Sequence, residues 1–113
     1  MKPRVVQVLN TEYKVVACWG SDKVLRQTLK DYHHNQSEEN LERCEYSHGM
    51  CYWTEGCHPV IWLPRKPKTP SEIGTLAHEA THAVEFIFRF ISEEHRGEVY
   101  AHSIGAVVRE VMK

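Results

Sequence analysis

Apolar and polar positions divide this chain into short strand-like runs followed by two long helical periods. Residues 5–9 alternate loosely and predict a strand. Residues 13–19 (YKVVACW) are β-branched and aromatic and predict a second strand, with Asn10-Thr11-Glu12 as the turn of a hairpin. Ser21 is placed to cap a helix over residues 22–33. Its inner stripe is Val24, Leu25, Thr28, Leu29 and Tyr32, and its polar face is Lys23, Arg26, Gln27 and Lys30. Residues 33–41 (HHNQSEENL) are polar and read as a loop. Residues 44–53 read as two short strands about a turn at Gly49, and the compact run Val60–Leu63 as another strand. Residues 64–70 (PRKPKTP) form a stiff, basic connector.

The helical periods follow. Thr69-Pro70-Ser71-Glu72 has the form of a capping box: Thr69 at the N-cap, Pro70 at the first helical position, Glu72 reaching back to the cap. Ile73, Leu76, Ala77, Ala80, Ala83, Val84, Ile87, Phe88 and Ile91 then recur at helical spacing, so the helix should run over residues 70–92. A break over residues 92–97 leads into a last helix over residues 98–112, with Ala101, Ile104, Gly105, Val108 and Val111 on its inner face. The expected fold class is α+β: a small, mostly antiparallel sheet packed against the long helix and the C-terminal helix. No repeat or linker divides the chain, so residues 1–113 read as one domain.

Composition narrows the function without choosing it. A net charge of −1 gives no electrostatic case for nucleic acid or an anionic membrane surface. No apolar run reaches 18 residues, and the N-terminus lacks an apolar signal core, so the expected compartment is the cytoplasm. Cys18, Cys44, Cys51 and Cys57 would then be reduced thiols. Their spacing is not that of a zinc ribbon. Cys44, Cys51 and Cys57 with His48 or His58 remain an open possibility for a structural metal site.

The chemistry is concentrated in His78-Glu79-Ala80-Thr81-His82, an H-E-x-x-H motif near the middle of the long helix. On a helix the two histidines stand four residues apart on one face and can grip one zinc ion, and Glu79 can serve a metal-bound water. The pentapeptide alone is a weak signal in a chain with 8 histidines. The capping box and apolar periodicity around it strengthen the reading.

A hydrolytic zinc takes three protein ligands and keeps one position open. Downstream stand Glu93, Glu94, His95, Glu98 and His102. The first three fall in the expected break. Glu98 opens a helix that must pack back on the motif helix, and Ala101 and Gly105 on its face would allow close approach, so Glu98 is the expected third ligand. Against it stands the plainer reading of a surface carboxylate near a helix start.

AHEATHAVEF followed by GEVYAHSIG resembles the gluzincin class of zinc metallopeptidases, and its compact form is similar to minigluzincins and to short metallopeptidase-like proteins of bacteriophages. The resemblance covers about residues 70–110. It implies Zn2+ held by His78, His82 and Glu98, Glu79 as general base, and a peptide or protein substrate. It also implies that Val60–Leu63 is the edge strand above the active-site helix, pairing with substrate backbone. In larger members a separate His or Tyr stabilises the tetrahedral intermediate. Tyr100 and His102 are near in sequence, and His102 could instead orient Glu98.

Three readings stand together: a zinc metallopeptidase, a zinc-binding but catalytically idle interaction or regulatory module, and a helical coincidence with no metal. The plainer assignments place His33 and His34 in a solvated loop, His48 and His58 in structural or surface roles, and Trp19, Trp53 and Trp62 in the core. The Arg65-Lys66-Pro67-Lys68 cluster reads as a solvated loop. The spread of Phe86, Phe88 and Phe90 suggests a helix that is widely buried or meets a partner.

Overall fold

The computed structural model describes residues 3–8, 12–90 and 98–113. The hairpin predicted at the start forms: β1 (Arg4–Gln7) pairs antiparallel with β2 (Lys14–Trp19), Val5 opposite Val16. Leu9, Asn10 and Thr11 lie outside the described residues. Gly20 follows β2 at φ 129, a left-handed conformation that glycine adopts without strain, and turns the chain into α1 (Asp22–Asp31). Leu25, Thr28 and Leu29 are buried on α1 as its stripe predicts. His33, at φ 64, ends the helix: the N–H groups of His33 and His34 donate to the carbonyls of Lys30 and Leu29 at 3.1 and 2.8 Å.

The expected polar loop is in part helical. Ser37 Oγ accepts from the Asn40 N–H at 3.2 Å and caps a five-residue α2 (Glu38–Glu42), which runs on into a 3-10 turn over Arg43–Tyr46. Its composition hid it: Glu38 and Glu39 at the start suit the helix dipole, but the stretch has no apolar stripe. Of the two strands expected about Gly49, only the later forms, as β3 (Met50–Tyr52).

The sheet order is β1-β2-β4-β3, with β4 at Val60–Leu63. β4 runs parallel to β2 and antiparallel to β3, so two of the three pairings are antiparallel. This corrects one expectation. β4 is an interior strand, buried at all four residues, as a continuous apolar run suits; the edge near the motif helix is β3.

Both sheet faces are covered. On one, Val16, Cys18, Val60 and Trp62 pack against Leu25 and Leu29 of α1. On the other, Val15, Ala17, Cys51, Ile61 and Leu63 pack against α3 (Pro70–Phe90) and α4 (Glu98–Met112). α3 contributes Leu76, Ala80, Ala83, Val84, Ile87 and Phe88, each at most 1% exposed. At ~1.5–3 kcal/mol for each large apolar side chain, this stripe fixes which way the helix faces. Ile91 and the break over residues 92–97 lie outside the described residues. The capping box forms in full: the Glu72 N–H donates to Thr69 Oγ1 at 3.2 Å, and the Thr69 N–H to Glu72 Oε1 at 3.0 Å. α4 keeps Ile104, Val108 and Val111 of its predicted inner face but is rotated so that Val107 replaces Ala101 at its centre. Ser103, Val107 and Val111 are buried, flanked by Tyr100, Ile104 and Val108, while Ala101 is exposed.

The structural metal site considered for the cysteines is not built. Cys44 packs on the α1 side of the sheet and Cys51 on the α3 side. The Cys57 thiol is directed at the His33 carbonyl, 3.5 Å away. Among the described residues no disulfide joins any of the four cysteines. Burial pushes the Cys18 thiol up to about 11.

Candidate metal centre on the H-E-x-x-H helix

α3 presents His78 and His82 on one face, with the two Nε2 atoms 3.1 Å apart and the rings edge to face at 4.7 Å. Two nitrogens held ~2.0–2.1 Å from one zinc ion would stand at this separation for an N–Zn–N angle of about 100°, close to tetrahedral. The imidazole pair therefore fits two positions of a zinc site. The His78 side chain is 67% exposed, leaving the outer side open to solvent and ligand.

Glu79 lies beneath them, buried, with Oε1 3.8 Å from His78 Nε2. Burial pushes its carboxyl above the ordinary carboxylate range, and the two histidines pull it back in part. Strand β3 crosses this stretch of α3 at close range. A Cβ on Gly49 would stand 2.9 Å from Thr75 Cγ2, 3.1 Å from Leu63 Cδ2 and 3.4 Å from Glu79 Cγ. Gly49 is thus where strand and helix meet, rather than the turn its residue type suggested. The Glu79 charge adds to burial in raising the Cys51 thiol.

Trp53, immediately after β3, lies over the other histidine. Its ring stacks on His82 at 6.2 Å and 30°, and sits 6.4 Å from Phe86. It is 49% exposed, against the expectation of a core tryptophan. A lone aromatic between a strand and a turn carries no sequence signal that separates core from site. The contacts do: Gly49 beside Thr75 and Glu79, then Trp53 beside His82 and Phe86, show that β3 runs along α3 in the same direction.

Among the described residues, no strand pairs with the outer edge of β3. A cleft of ≈ 330 Å³ runs beside it, lined by Met50–Trp53 with Gln36, Asn40 and Arg43. A second, of ≈ 230 Å³, lies past Trp53, lined by His82, Glu85, Phe86 and Arg89.

The third expected ligand is not brought to the pair. Glu98 stands in the first turn of α4 with its side chain 92% exposed, 3.6 Å from His102 Nε2, whose side chain is 75% exposed. Among the described residues no three His, Cys, Asp or Glu side chains converge as a metal site. The reason is the rotation of α4. Glu98 and Val107 are nine residues apart, about 180° round a helix, so burying Val107 turns Glu98 outward. Gly105 allows no closer helix approach: a Cβ there would meet only the Arg109 guanidinium of its own helix. Tyr100 packs edge to face on Phe88 at 5.3 Å, and burial, then the Glu85 charge, raises its hydroxyl pKa. Glu93, Glu94 and His95 lie outside the described residues.

Comparison with protein-family models, with curated proteins and with solved structures finds no match to this chain. Among the described residues, no helix is long and apolar enough to cross a membrane.

Proposed function

We propose that the chain is a zinc-dependent metallopeptidase acting on an extended peptide laid along β3. The observation that carries the reading is the histidine pair at 3.1 Å, with the buried Glu79 beneath it and a strand edge beside it. His78 and His82 would hold the ion, with Glu98 as the proposed third ligand. A zinc ion bound there would lower the pKa of a water toward ~7 and polarise a scissile carbonyl. Glu79 Oε1 or Oε2 takes the proton of the attacking water and passes it to the leaving amine. The β3 edge offers backbone donors and acceptors to the substrate, which adds as a further strand.

A second reading has its own support. Glu98 is exposed and beside His102, which favours a zinc-binding but catalytically idle module. One set of proteins separates the two: wild type, His82→Ala, Glu98→Ala and Glu79→Gln, each assayed for zinc per chain and for cleavage of unfolded casein. The peptidase reading expects one zinc in wild type, loss in His82→Ala and weaker binding in Glu98→Ala. It expects Glu79→Gln to keep zinc and lose turnover by at least ~10²-fold. Zinc without Glu79-dependent cleavage would establish the idle module. A wild type that takes up no zinc on reconstitution would overturn both.

A further inference from the structure

We infer that Trp53 and Phe86 form the side-chain subsite that sets specificity, and that it takes an aromatic residue of the bound peptide. The inference rests on the strand-edge path proposed for substrate. Trp53 belongs to both clefts: it ends the one along β3 and walls the one beside His82. A peptide paired on β3 would pass Trp53 as it reaches the histidines, so one of its side chains would enter the second cleft. At ≈ 230 Å³ that cleft is smaller than the ~300–1,000 Å³ needed to enclose a whole small molecule, and it suits a single large side chain.

The walls select the chemistry. The Trp53 ring is half exposed and already lies nearly parallel to His82 and Phe86, at 30° and 33°. It presents a flat, rigid platform for offset stacking. The charged residues of the rim neutralise one another: Arg89 donates to Glu85 Oε1 at 3.1 Å. That pair adds no net charge of its own to the rim, so the stacked rings set the preference among side chains. Trp53 acts on the choice of substrate, not on proton transfer.

Binding tests this without relying on turnover. The protein is Glu79→Gln, with zinc added and without. The probes are an acetylated, amidated all-alanine pentapeptide and the five variants carrying phenylalanine at each position in turn, followed by calorimetry. At least one phenylalanine peptide is expected to bind about tenfold tighter than the alanine peptide. Trp53→Ala, at a half-exposed position, should abolish that preference, so that the phenylalanine and alanine peptides bind alike. Trp53→Tyr should keep most of it. Equal binding of all six peptides, binding of none, or a preference that survives in Trp53→Ala would overturn the inference. Cleavage of the same peptides by wild type is scored separately, so a phenylalanine preference without cleavage would refute the peptidase reading and leave this one standing.

Discussion

Replacing Gly49 by alanine tests the contact that holds β3 against the motif helix. Two opposed effects decide the outcome. Gly49 is not among the glycines at positive φ, so its backbone suits alanine, and a less flexible unfolded chain would stabilise the fold by ~0.4–1 kcal/mol. The added methyl, however, would lie 2.9 Å from Thr75 Cγ2 and 3.1 Å from Leu63 Cδ2. Neither neighbour yields easily. Thr75 is β-branched and its hydroxyl donates to the Ser71 carbonyl at 3.2 Å, and Leu63 is 2% exposed. Overpacking of this kind costs ~1–3 kcal/mol, so the clash wins, with a net loss of about 1–2 kcal/mol. For a chain of 113 residues that is a fall in Tm of about 4–8 °C. Urea denaturation of wild type, Gly49→Ala, Thr75→Ser and the double variant gives the coupling directly. Serine removes Cγ2 and keeps the hydroxyl, so Gly49→Ala should be milder by at least about 1 kcal/mol in the Thr75→Ser background. An alanine variant as stable as wild type, or one equally destabilised in both backgrounds, would refute the close approach of β3 to α3.

Thr69→Ala should destabilise the protein by ~1 kcal/mol through loss of the N-cap, and a circular-dichroism melt unchanged from wild type would count against the capping box. Glu72 carries an acid signature of the same box. Arg65, then the Thr69 and Lys68 N–H groups, hold its carboxyl down at about 2 from the usual 4.5. A depressed carboxylate stabilises the fold above its unfolded pKa and loses that contribution as pH falls through the folded value. The urea midpoint of wild type should therefore drop more steeply than that of Glu72→Gln between pH 4.5 and 2, and parallel curves would refute this. His34 gives the corresponding test nearer neutrality. Its Nε2–H donates to the His58 carbonyl at 2.6 Å, while Thr54, itself receiving Gln36 Nε2 at 3.1 Å, faces its Nδ1 at 3.5 Å. Burial holds His34 below 6.5, so the unfolded chain binds the proton more readily and stability should fall as pH drops below 6.5. His34→Gln should flatten that fall, and a pH profile identical to wild type would refute this role for His34.

The fold was legible wherever side-chain pattern and backbone chemistry agreed. α3 is the clearest case: Thr69, Pro70 and Glu72 mark its start, and its apolar stripe is the buried one. β4 was found as a strand because four apolar residues in a row suit burial on both faces, but its place in the sheet was not. That place depends on β3 joining it on the far side, a long-range pairing that local pattern does not encode. A short, capped polar helix such as α2 leaves no periodicity in the sequence. As one of a pair in a polar run, His34 reads as solvated. The left-handed turn at His33 instead directs the second histidine onto the loop ahead of β4.

The site divides along the same line. His78, Glu79 and His82 lie within one helical turn, so the helix alone fixes their mutual geometry, and naming the helix named the pair. A third ligand from α4 depends on which face α4 turns inward, and that is a competition among side chains. Ala101 and Gly105 suit a contact face because small residues permit close approach. Ile104, Val108 and Val111 pack inward on either choice, but Tyr100 and Val107 on one flank make a larger apolar stripe with them than Ala101 and Gly105 make on the other. At ~25 cal/mol per Å² buried, the larger stripe wins the interior and turns Ala101, His102 and Glu98 outward together. Metal ligation by Glu98 must therefore outweigh part of that burial. Under the peptidase reading, exchanging Val107 for alanine should weaken the hold of the inner stripe. It should thus destabilise the apoprotein more than the zinc-loaded protein, and equal destabilisation of both would separate Glu98 from the metal.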